Sequence, residues 1–258
     1  MILPPGTILQ IMYLKERLRG VPPGRFVEIG VGRGHLSATL LEMGWEGTGF
    51  ELDSISAVAA RERNREAIAS GRYAVIEESW LESDAPDRPD LILSCMVMEH
   101  LDDADEERYL RKCRENLAEN GLAILLVPGS PGDWGIEDEI AGHFRRYTAD
   151  GLKARIEKAG LDVRHVAGLT FPLSNLLLPV SNFLVRRAEG HKIAMDMQGR
   201  TQASGRREVA GKTRFPMPAR VVLNEFSLYP FHILQKVFAQ TSRALVVYAE
   251  YARNGSSR

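Results

Sequence analysis

Short apolar runs alternate with amphipathic stretches along most of the chain, and this alternation predicts the order of its elements. Residues 7–19 predict an opening amphipathic helix, which ends at the two prolines and the glycine of 22–24. Helical patterns then separate the apolar runs, as at 105–117, where apolar positions recur with helical period. Seven apolar runs predict strands at residues 26–29, 47–51, 73–76, 90–95, 122–127, 163–166 and 244–249.

This regular alternation of strands and helices is typical of an α/β protein with a doubly wound sheet. Successive parallel strands need crossover connections, and helical crossovers cover both faces of the sheet. Ligands of such sheets bind beyond the carboxyl ends of the strands. We therefore look for chemistry at the positions where the predicted strands end.

The late part of the chain departs from this pattern, and we interpret residues 170–240 as an insertion between the last two strands. Residues 170–185 are apolar and interrupted by Pro172 and Pro179, whereas 188–214 carries few large apolar residues and predicts a mobile basic loop. We predict one domain over residues 1–258, with a helical cap at 1–24 and with the insertion covering the substrate site.

Composition and charge exclude several classes of protein. The 258 residues carry a formal net charge of −1, so no overall field favours nucleic acid. The two cysteines, Cys95 and Cys113, lie far apart and outside any metal-binding pattern, so neither a disulfide framework nor a structural zinc site is expected. We find no secretory signal and no apolar run long enough to span a bilayer, which favours the cytoplasm.

The strongest motif is Glu28-Ile29-Gly30-Val31-Gly32-Arg33-Gly34, where an apolar strand runs into a glycine turn and a helix follows. Glycines suit a sharp turn that a ligand approaches closely. About twenty residues later, Glu51 ends the second strand and can accept hydrogen bonds from both hydroxyls of a ribose. The dinucleotide-binding fingerprint has an acidic residue at a similar spacing. Together these features predict a nucleoside-binding site.

The spacing of the glycines distinguishes two kinds of cofactor. The dinucleotide fingerprint is G-x-G-x-x-G, but here the third glycine follows the second by two residues, and His35 occupies the fingerprint's last position. The carboxylate of Glu28 is unfavourable beside a pyrophosphate but suits a cationic ligand. S-adenosylmethionine, which carries a sulfonium and an ammonium group and no phosphate, is therefore the expected cofactor, with S-adenosylhomocysteine as its product.

At this point the sequence resembles the class I methyltransferases, especially the small-molecule members of the ubiquinone-biosynthesis type. The glycine motif and Glu51 match the family's first motif and its ribose-binding acid. The segments around Asp90, Glu99-His100, Phe144–Thr148 and Ala159-Gly160 match its later motifs, over roughly residues 20–170. The resemblance implies a Rossmann-like, mostly parallel, seven-stranded sheet whose last strand is antiparallel.

The same resemblance implies a set of cofactor-binding residues. Many relatives have an aspartate after the third strand, whereas this chain has Ser79 and Trp80 at that place, a serine that could bond the adenine and a ring that could stack on it. Cofactor contacts are expected from Glu28, Gly30, Gly32, Gly34, Glu51, Leu52, Ser79, Trp80, Met96 and Val97.

Methyl transfer from a sulfonium requires mainly the alignment of acceptor, methyl and sulfur, and it requires a base only if the acceptor must lose a proton. His143, in the loop after the fifth strand, is our first candidate for that base, and His100 is the second. The fourth strand does not end in the Asn/Asp-Pro-Pro-Tyr sequence of DNA adenine methyltransferases, and no metal site is expected. A metal-free O- or C-methyltransferase acting on a small, apolar or aromatic molecule is predicted.

Two alternatives to a methyltransferase stay open from the sequence. A nicotinamide-dependent oxidoreductase is disfavoured by the glycine spacing, and a non-catalytic domain that binds S-adenosylmethionine or its product is compatible with the motifs. Leu176-Leu177-Leu178 followed by Arg186-Arg187 could contact a membrane surface, although core packing or a dimer contact is the interpretation we favour. The chain is expected to be a monomer or a homodimer.

Overall fold

The computed structural model describes residues 2–84, 88–190, 209, 211–212 and 215–255. The predicted mobile loop at 188–214 lies almost entirely outside the described residues. The strands are β1 Arg25–Ile29, β2 Glu46–Phe50, β3 Tyr73–Ile76, β4 Leu91–Cys95, β5 Leu122–Pro128, β6 Leu161–Leu169 and β7 Val246–Arg253. The α-helices are α1 Pro5–Leu18, α2 His35–Glu42, α3 Ser54–Arg63, α4 Arg65–Ala69, α5 Asp103–Asn116, α6 Ile136–Ala141, α7 Ala149–Lys158, α8 Leu173–Glu189 and α9 Glu225–Val237.

The chain divides into two compact units. One, which we call the sheet unit, comprises residues 22–127, 150–166 and 248–258. The other, which we call the helical unit, comprises residues 1–21, 128–149 and 167–247. Most of the predicted cap at 1–24 and all described residues of the predicted insertion at 170–240 therefore fall in the same unit.

The strands form one seven-stranded sheet in the order β3-β2-β1-β4-β5-β7-β6, mostly parallel with one antiparallel strand. This confirms the predicted doubly wound α/β fold. The interior strand β1 pairs in parallel with β2 on one side and with β4 on the other, so Ile29 lies beside Phe50 and Ser94. The register brings the carboxyl ends of these three strands to the same edge of the sheet.

Local sequence explains where the helices around this sheet begin. Asp53 accepts a hydrogen bond from the backbone N–H of Ser56, and Asp102 accepts one from Asp105, so each caps the first turn of its helix. Helix α5 turns Tyr109, Leu110 and Cys113 inwards and, apart from the buried Glu106, leaves its many charged residues on the outer side. Capping and amphipathic burial thus fix the crossovers that join the strands.

In the helical unit, α1 packs against both α8 and α9. Ile8, Leu9 and Met12 of α1 form an apolar cluster with Leu228 of α9, and Leu173 of α8 lies against it. The predicted interruption at Pro179 is wrong, because α8 continues through this residue to Glu189. In the described part of the chain, no helix combines the length and apolar character that crossing a bilayer requires.

Candidate functional site

The predicted glycine turn lies at the carboxyl end of β1 and leads directly into α2. Gly30, Gly32 and Gly34 all have positive φ angles, of 73°, 54° and 75°. A Cβ atom on Gly30 would come within 2.3 Å of Cγ2 of Val97, whereas one on Gly32 would meet nothing within 4 Å. Gly30 is thus required by close packing inside the protein, while Gly32 faces open space that a ligand could occupy.

Glu51 follows β2 and is bonded to this turn. Its Oε2 accepts a hydrogen bond from the backbone N–H of Gly32 at 2.7 Å, and its Oε1 accepts one from Asp53 at 2.9 Å. Burial raises the pKa of Glu51. Because a carboxylate has about four acceptor positions and two are used here, capacity remains for the two hydroxyls of a ribose.

The carboxyl group of Glu28 is held inside the sheet unit. Glu28 is 1% exposed and accepts a hydrogen bond from the hydroxyl of Ser37 on α2, and that hydroxyl lies 2.6 Å from Oη of Tyr73. Burial raises the pKa of Glu28 to about 8, although the bond from Ser37 opposes this shift. Sequence reasoning did not find Ser37 or Tyr73, because only the fold brings α2 and β3 together at this point.

The residues after β4 form the other wall beside the glycine turn. Met96 has a φ angle of 56°, a left-handed conformation that is uncommon for a residue with a side chain. The methyl group of Val97 is the group that excludes a side chain at Gly30. The predicted candidates Glu99 and His100 follow in a single 3-10 turn, Met98–His100, in which Glu99 is buried.

Three of the predicted cofactor contacts, Leu52, Ser79 and Trp80, differ in exposure. Leu52, next to Glu51, is exposed, and Ser79 is half-buried. Trp80 is 3% exposed, with the ammonium of Lys112 5.0 Å from its ring centroid and Tyr109 against its edge. Little of the Trp80 ring is therefore exposed, and its stacking on the adenine stays a prediction.

The turn that carries Ser79 is held by α5. The Lys112 ammonium donates hydrogen bonds to the carbonyl oxygens of Trp80, Leu81 and Ser83, and Arg108 donates to the Leu81 carbonyl and to Glu82. Burial lowers the pKa of Lys112. Lys112 was missed by sequence reasoning because the three carbonyls that it satisfies have no signature in the sequence.

His35 opens α2 and is neutral at physiological pH. Burial and the neighbouring guanidinium of Arg63 lower the pKa of His35 to about 4. The side chain therefore adds no positive charge at the glycine turn. A cationic ligand meets less repulsion there than a protonated histidine would cause.

The favoured base candidate, His143, lies in the helical unit and is oriented by a buried carboxylate. Nδ1 of His143 lies 2.9 Å from Oδ1 of Asp138, which also accepts a bond of 2.8 Å from Nε of Arg146. Burial disfavours the charged form of Asp138, but the bonds from His143 and Arg146 outweigh it and lower the pKa of Asp138 to about 2. An ionised Asp138 makes Nδ1 of His143 the donor and leaves Nε2 as the basic nitrogen.

Asp138 itself is placed by its own helix terminus. The carboxylate accepts a bond from the backbone N–H of Gly135 at 2.9 Å, at the start of α6, and Arg146 also donates to the carbonyl of Gly129 at 3.1 Å. The chain reverses at Gly142, whose left-handed conformation ends α6 and brings His143 back to Asp138. Asp138 and Arg146 were not singled out in the sequence.

Residues 9–166 match the protein family described as methyltransferase domain, and this match covers more than half of the chain. The chain belongs to this family. Its cofactor is S-adenosylmethionine, and the open space at Gly32 and the acceptor capacity of Glu51 fit the adenosine part of that molecule.

Two curated relatives match parts of the chain. A phenazine-1-carboxylate N-methyltransferase of Pseudomonas aeruginosa is 25% identical over 39% of this chain and 30% of its own length. An uncharacterized methyltransferase of Geobacillus kaustophilus is 32% identical over 38% of this chain and 44% of its own length. The matches thus span less than half of the length of either curated relative.

Among solved structures, a glycopeptide N-methyltransferase, MtfA, in complex with S-adenosylmethionine is similar to this chain over 95% of its residues. The similarity covers 87% of the MtfA chain, with a TM-score of 0.55 and 16% identity. At this identity the likeness shows the fold alone.

Proposed function

We propose that this protein transfers the methyl group of S-adenosylmethionine to a small, apolar or aromatic acceptor, at oxygen or carbon and without a metal ion. The observation that carries this proposal is the bond between Glu51 and the Gly32 N–H, which joins the ends of β1 and β2 into one cradle. Membership of the methyltransferase domain family supports methyl transfer, and the name of the Pseudomonas relative, an N-methyltransferase, supports an aromatic acceptor but not the choice of oxygen or carbon.

In this proposal each residue of the cradle has a separate task. Glu51 accepts hydrogen bonds from the ribose hydroxyls with the acceptor positions that Gly32 and Asp53 leave unused. The exposed side chain of Leu52 covers the adenine, and the hydroxyl of Ser79 bonds its amine. Met96 and Val97 form the apolar wall opposite, and Gly30, Gly34 and Glu28 maintain the turn.

When bound, the cofactor supplies a methyl group already activated by its positive sulfur, so that displacement at the methyl carbon needs no further activation of the donor. The protein must then align the acceptor atom with the methyl carbon and accept the proton that an oxygen or carbon acceptor releases. Nε2 of His143 is the proposed proton acceptor, because Asp138 holds the opposite nitrogen as a donor. His100 remains the second candidate.

Proton removal also distinguishes the kinds of acceptor. An amine with a free lone pair attacks before it loses its proton, whereas a phenol or a carbon acid must be deprotonated for efficient attack. The proposed His143–Asp138 pair therefore favours oxygen or carbon over nitrogen. We further propose that the protein works in the cytoplasm as a monomer or homodimer. The coverage of the acceptor by residues 170–240 stays a prediction.

The proposal is tested by following S-adenosylhomocysteine formation with a panel of phenols, carbon acids and aromatic amines. We expect turnover with planar phenols or activated carbon acids and none with NAD in place of S-adenosylmethionine. Turnover restricted to amines would contradict the proposed acceptor atom. Tight binding of S-adenosylmethionine without any turnover across the panel would favour the non-catalytic alternative.

A further inference from the structure

Helix α9 turns a largely polar side towards the protein interior and exposes an apolar side. Its buried positions are Leu228, His232 and Gln235, of which two are polar. The opposite side of the helix exposes only apolar or aromatic side chains, and these lie within about 100° of the helix circumference. They are Phe226, which is 91% exposed, Tyr229, Pro230, Ile233 and Val237, which is 70% exposed.

Specific hydrogen bonds fix α9 in this orientation. Gln235 donates to the carbonyl of Leu9 at 3.0 Å and accepts a bond of 2.9 Å from the N–H of Thr170. Nε2 of His232 lies 2.7 Å from Glu16 of α1. Turning the apolar side inwards would break all of these bonds and leave buried polar groups unsatisfied. The outward position of the apolar side chains is therefore built into the helical unit.

Helix α8 shows a second exposed apolar stripe. Leu176, Val180 and Phe183 are all exposed, and they recur at the spacing that places them on one side of a helix. The same line continues to Arg187. Val185 points the opposite way and is buried against Ile136 and Ile140 of α6 and Val209. Both helices pack against α1, and we use the name outer face for their exposed apolar residues Leu176, Val180, Phe183, Phe226, Ile233 and Val237.

The charges next to the outer face are mostly positive. Arg186 and Arg187 at the end of α8 are exposed, and so is Arg220 in the turn before α9. In the described residues of 173–189 and 215–243 there are two acids, Glu189, which is 5% exposed, and Glu225, which pairs with Lys15 at 2.6 Å. An anionic surface would therefore meet arginines without an opposing row of exposed acids.

We propose that the outer face binds the surface of an anionic lipid bilayer. Apolar side chains flanked by arginines match a bilayer, where acyl chains take up the former and anionic headgroups attract the latter. A second copy of the chain fits less well, because the described residues of these two segments offer no row of exposed acids that could pair with the arginines of the partner. The helices would lie in the interface and not cross it, in agreement with their length and composition.

Flotation of the full chain with vesicles tests this proposal. Vesicles of phosphatidylcholine alone are compared with an equal mixture of phosphatidylcholine and phosphatidylglycerol, at low and high salt. The variants are Phe183→Asp with Phe226→Asp, and Arg186→Glu with Arg187→Glu. The control Val58→Asp changes an equally exposed apolar residue on α3 of the sheet unit. All substituted positions are exposed, and a thermal melt verifies that each variant folds.

We expect binding to the anionic vesicles that weakens with salt, and no binding to phosphatidylcholine alone. The double phenylalanine variant should lower the partition coefficient at least about tenfold, because each ring contributes buried apolar area. Each arginine that is replaced should lower the partition coefficient about fivefold. The Val58→Asp control should bind like wild type.

Several results would overturn the proposal. One is that the wild-type protein does not bind vesicles. Another is that binding is reduced equally in the outer-face variants and in the control. A dimer in analytical ultracentrifugation that Phe183→Asp with Phe226→Asp dissociates, without vesicle binding, would assign the outer face to a second copy. None of these readouts depends on methyl transfer, so the test stands apart from that of the proposed function.

Discussion

The sheet unit and the helical unit each hold a carboxyl group that is almost completely buried, yet the pKa values of these two groups are shifted in opposite directions. Glu28 is 1% exposed, its hydrogen-bond partner is the neutral hydroxyl of Ser37, and burial raises its pKa to about 8. Asp138 is 0% exposed, and the bonds from His143 and Arg146 lower its pKa to about 2 against the effect of burial.

The comparison shows that the partners of a buried acid, more than burial itself, decide whether it is charged. Asp138 is a fixed carboxylate, suited to orienting a histidine whose other nitrogen takes a proton. Glu28 retains its proton at neutral pH and would lose it more readily once a cationic ligand lies nearby. The same residue class thus serves two different purposes in the two units.

The largest effect is expected from breaking the charged pair of the helical unit. His143→Gln and Asp138→Asn should each lower kcat for a phenol or carbon acceptor by roughly 10²- to 10⁴-fold, because either change removes the correctly oriented base. The two variants together should be no slower than the worse single variant, since the residues act as one unit. Steady-state kinetics measures the effect.

Calorimetry on the same variants provides the control. Binding of S-adenosylmethionine should be unchanged in His143→Gln, because this residue is assigned to the proton and not to the cofactor. Wild-type kcat in His143→Gln, with a verified phenol or carbon acceptor, would remove His143 as the base. A loss of cofactor binding would show that the pair acts on the fold instead.

A smaller effect is expected at the glycine turn, where two glycines form a matched pair. Gly32 and Gly71 have φ angles of 54° and 74°, and a Cβ on either meets nothing within 4 Å. Gly32→Ala and Gly71→Ala should each lower the free energy of unfolding by about 1 kcal/mol from backbone strain. Only Gly32→Ala should also weaken S-adenosylmethionine binding, by about tenfold or more.

Urea denaturation and calorimetry separate these two effects. Equal stability losses with a binding loss confined to Gly32→Ala would locate the ligand at the first turn. Cofactor binding by Gly32→Ala that equals that of Gly71→Ala would mean that the open space beside Gly32 is not used.

A further effect, which depends on pH, arises from the raised pKa of Glu28. Because the folded-state pKa of about 8 lies above the ordinary value of 4.5, the folded protein holds a proton that the unfolded chain releases. Stability is therefore lost as the pH rises from about 4.5 to 8. The Glu28→Gln variant has no such proton, so its free energy of unfolding should fall by about 3 kcal/mol less than that of wild type between pH 5 and pH 8.

This pH dependence is read from urea denaturation curves at the two pH values. Asp84→Asn, at an exposed position of the same unit, should follow wild type. Parallel pH profiles for wild type and Glu28→Gln would show that Glu28 is already ionised in the folded protein.

Much of the sheet was predictable because its signals are local. The strand leading to Gly30 and the acid at the end of the next strand are read from adjacent residues. The structure places Glu51 on the turn because the carboxyl ends of the parallel strands β1 and β2 lie side by side. The fold class followed from the alternation of apolar runs. Strand bounds differed mainly in the late part, where β6 extends over Leu161–Leu169.

Other features could not be predicted because they depend on distant contacts. Trp80 is an aromatic residue of the kind that can stack on an adenine. In the structure, however, the ammonium of Lys112, 32 positions away in the chain, lies over its ring. The apolar periodicity of α9 predicts a buried side that is in fact exposed, since Gln235 and His232 find partners on α1 and at Thr170. The pairing of Asp138 with His143 could not be predicted because it depends on the turn at Gly142 that brings the two side chains together.

The most direct test of the central claim is calorimetric binding of S-adenosylmethionine to wild type, Glu51→Ala and Glu46→Ala. Glu46 is the matched control, because it is an exposed acid at the opposite end of the same strand. We predict that Glu51→Ala lowers the affinity about 100-fold or more through the loss of two charge-assisted hydrogen bonds, while Glu46→Ala binds like wild type. Wild-type affinity in a folded Glu51→Ala variant would contradict the account.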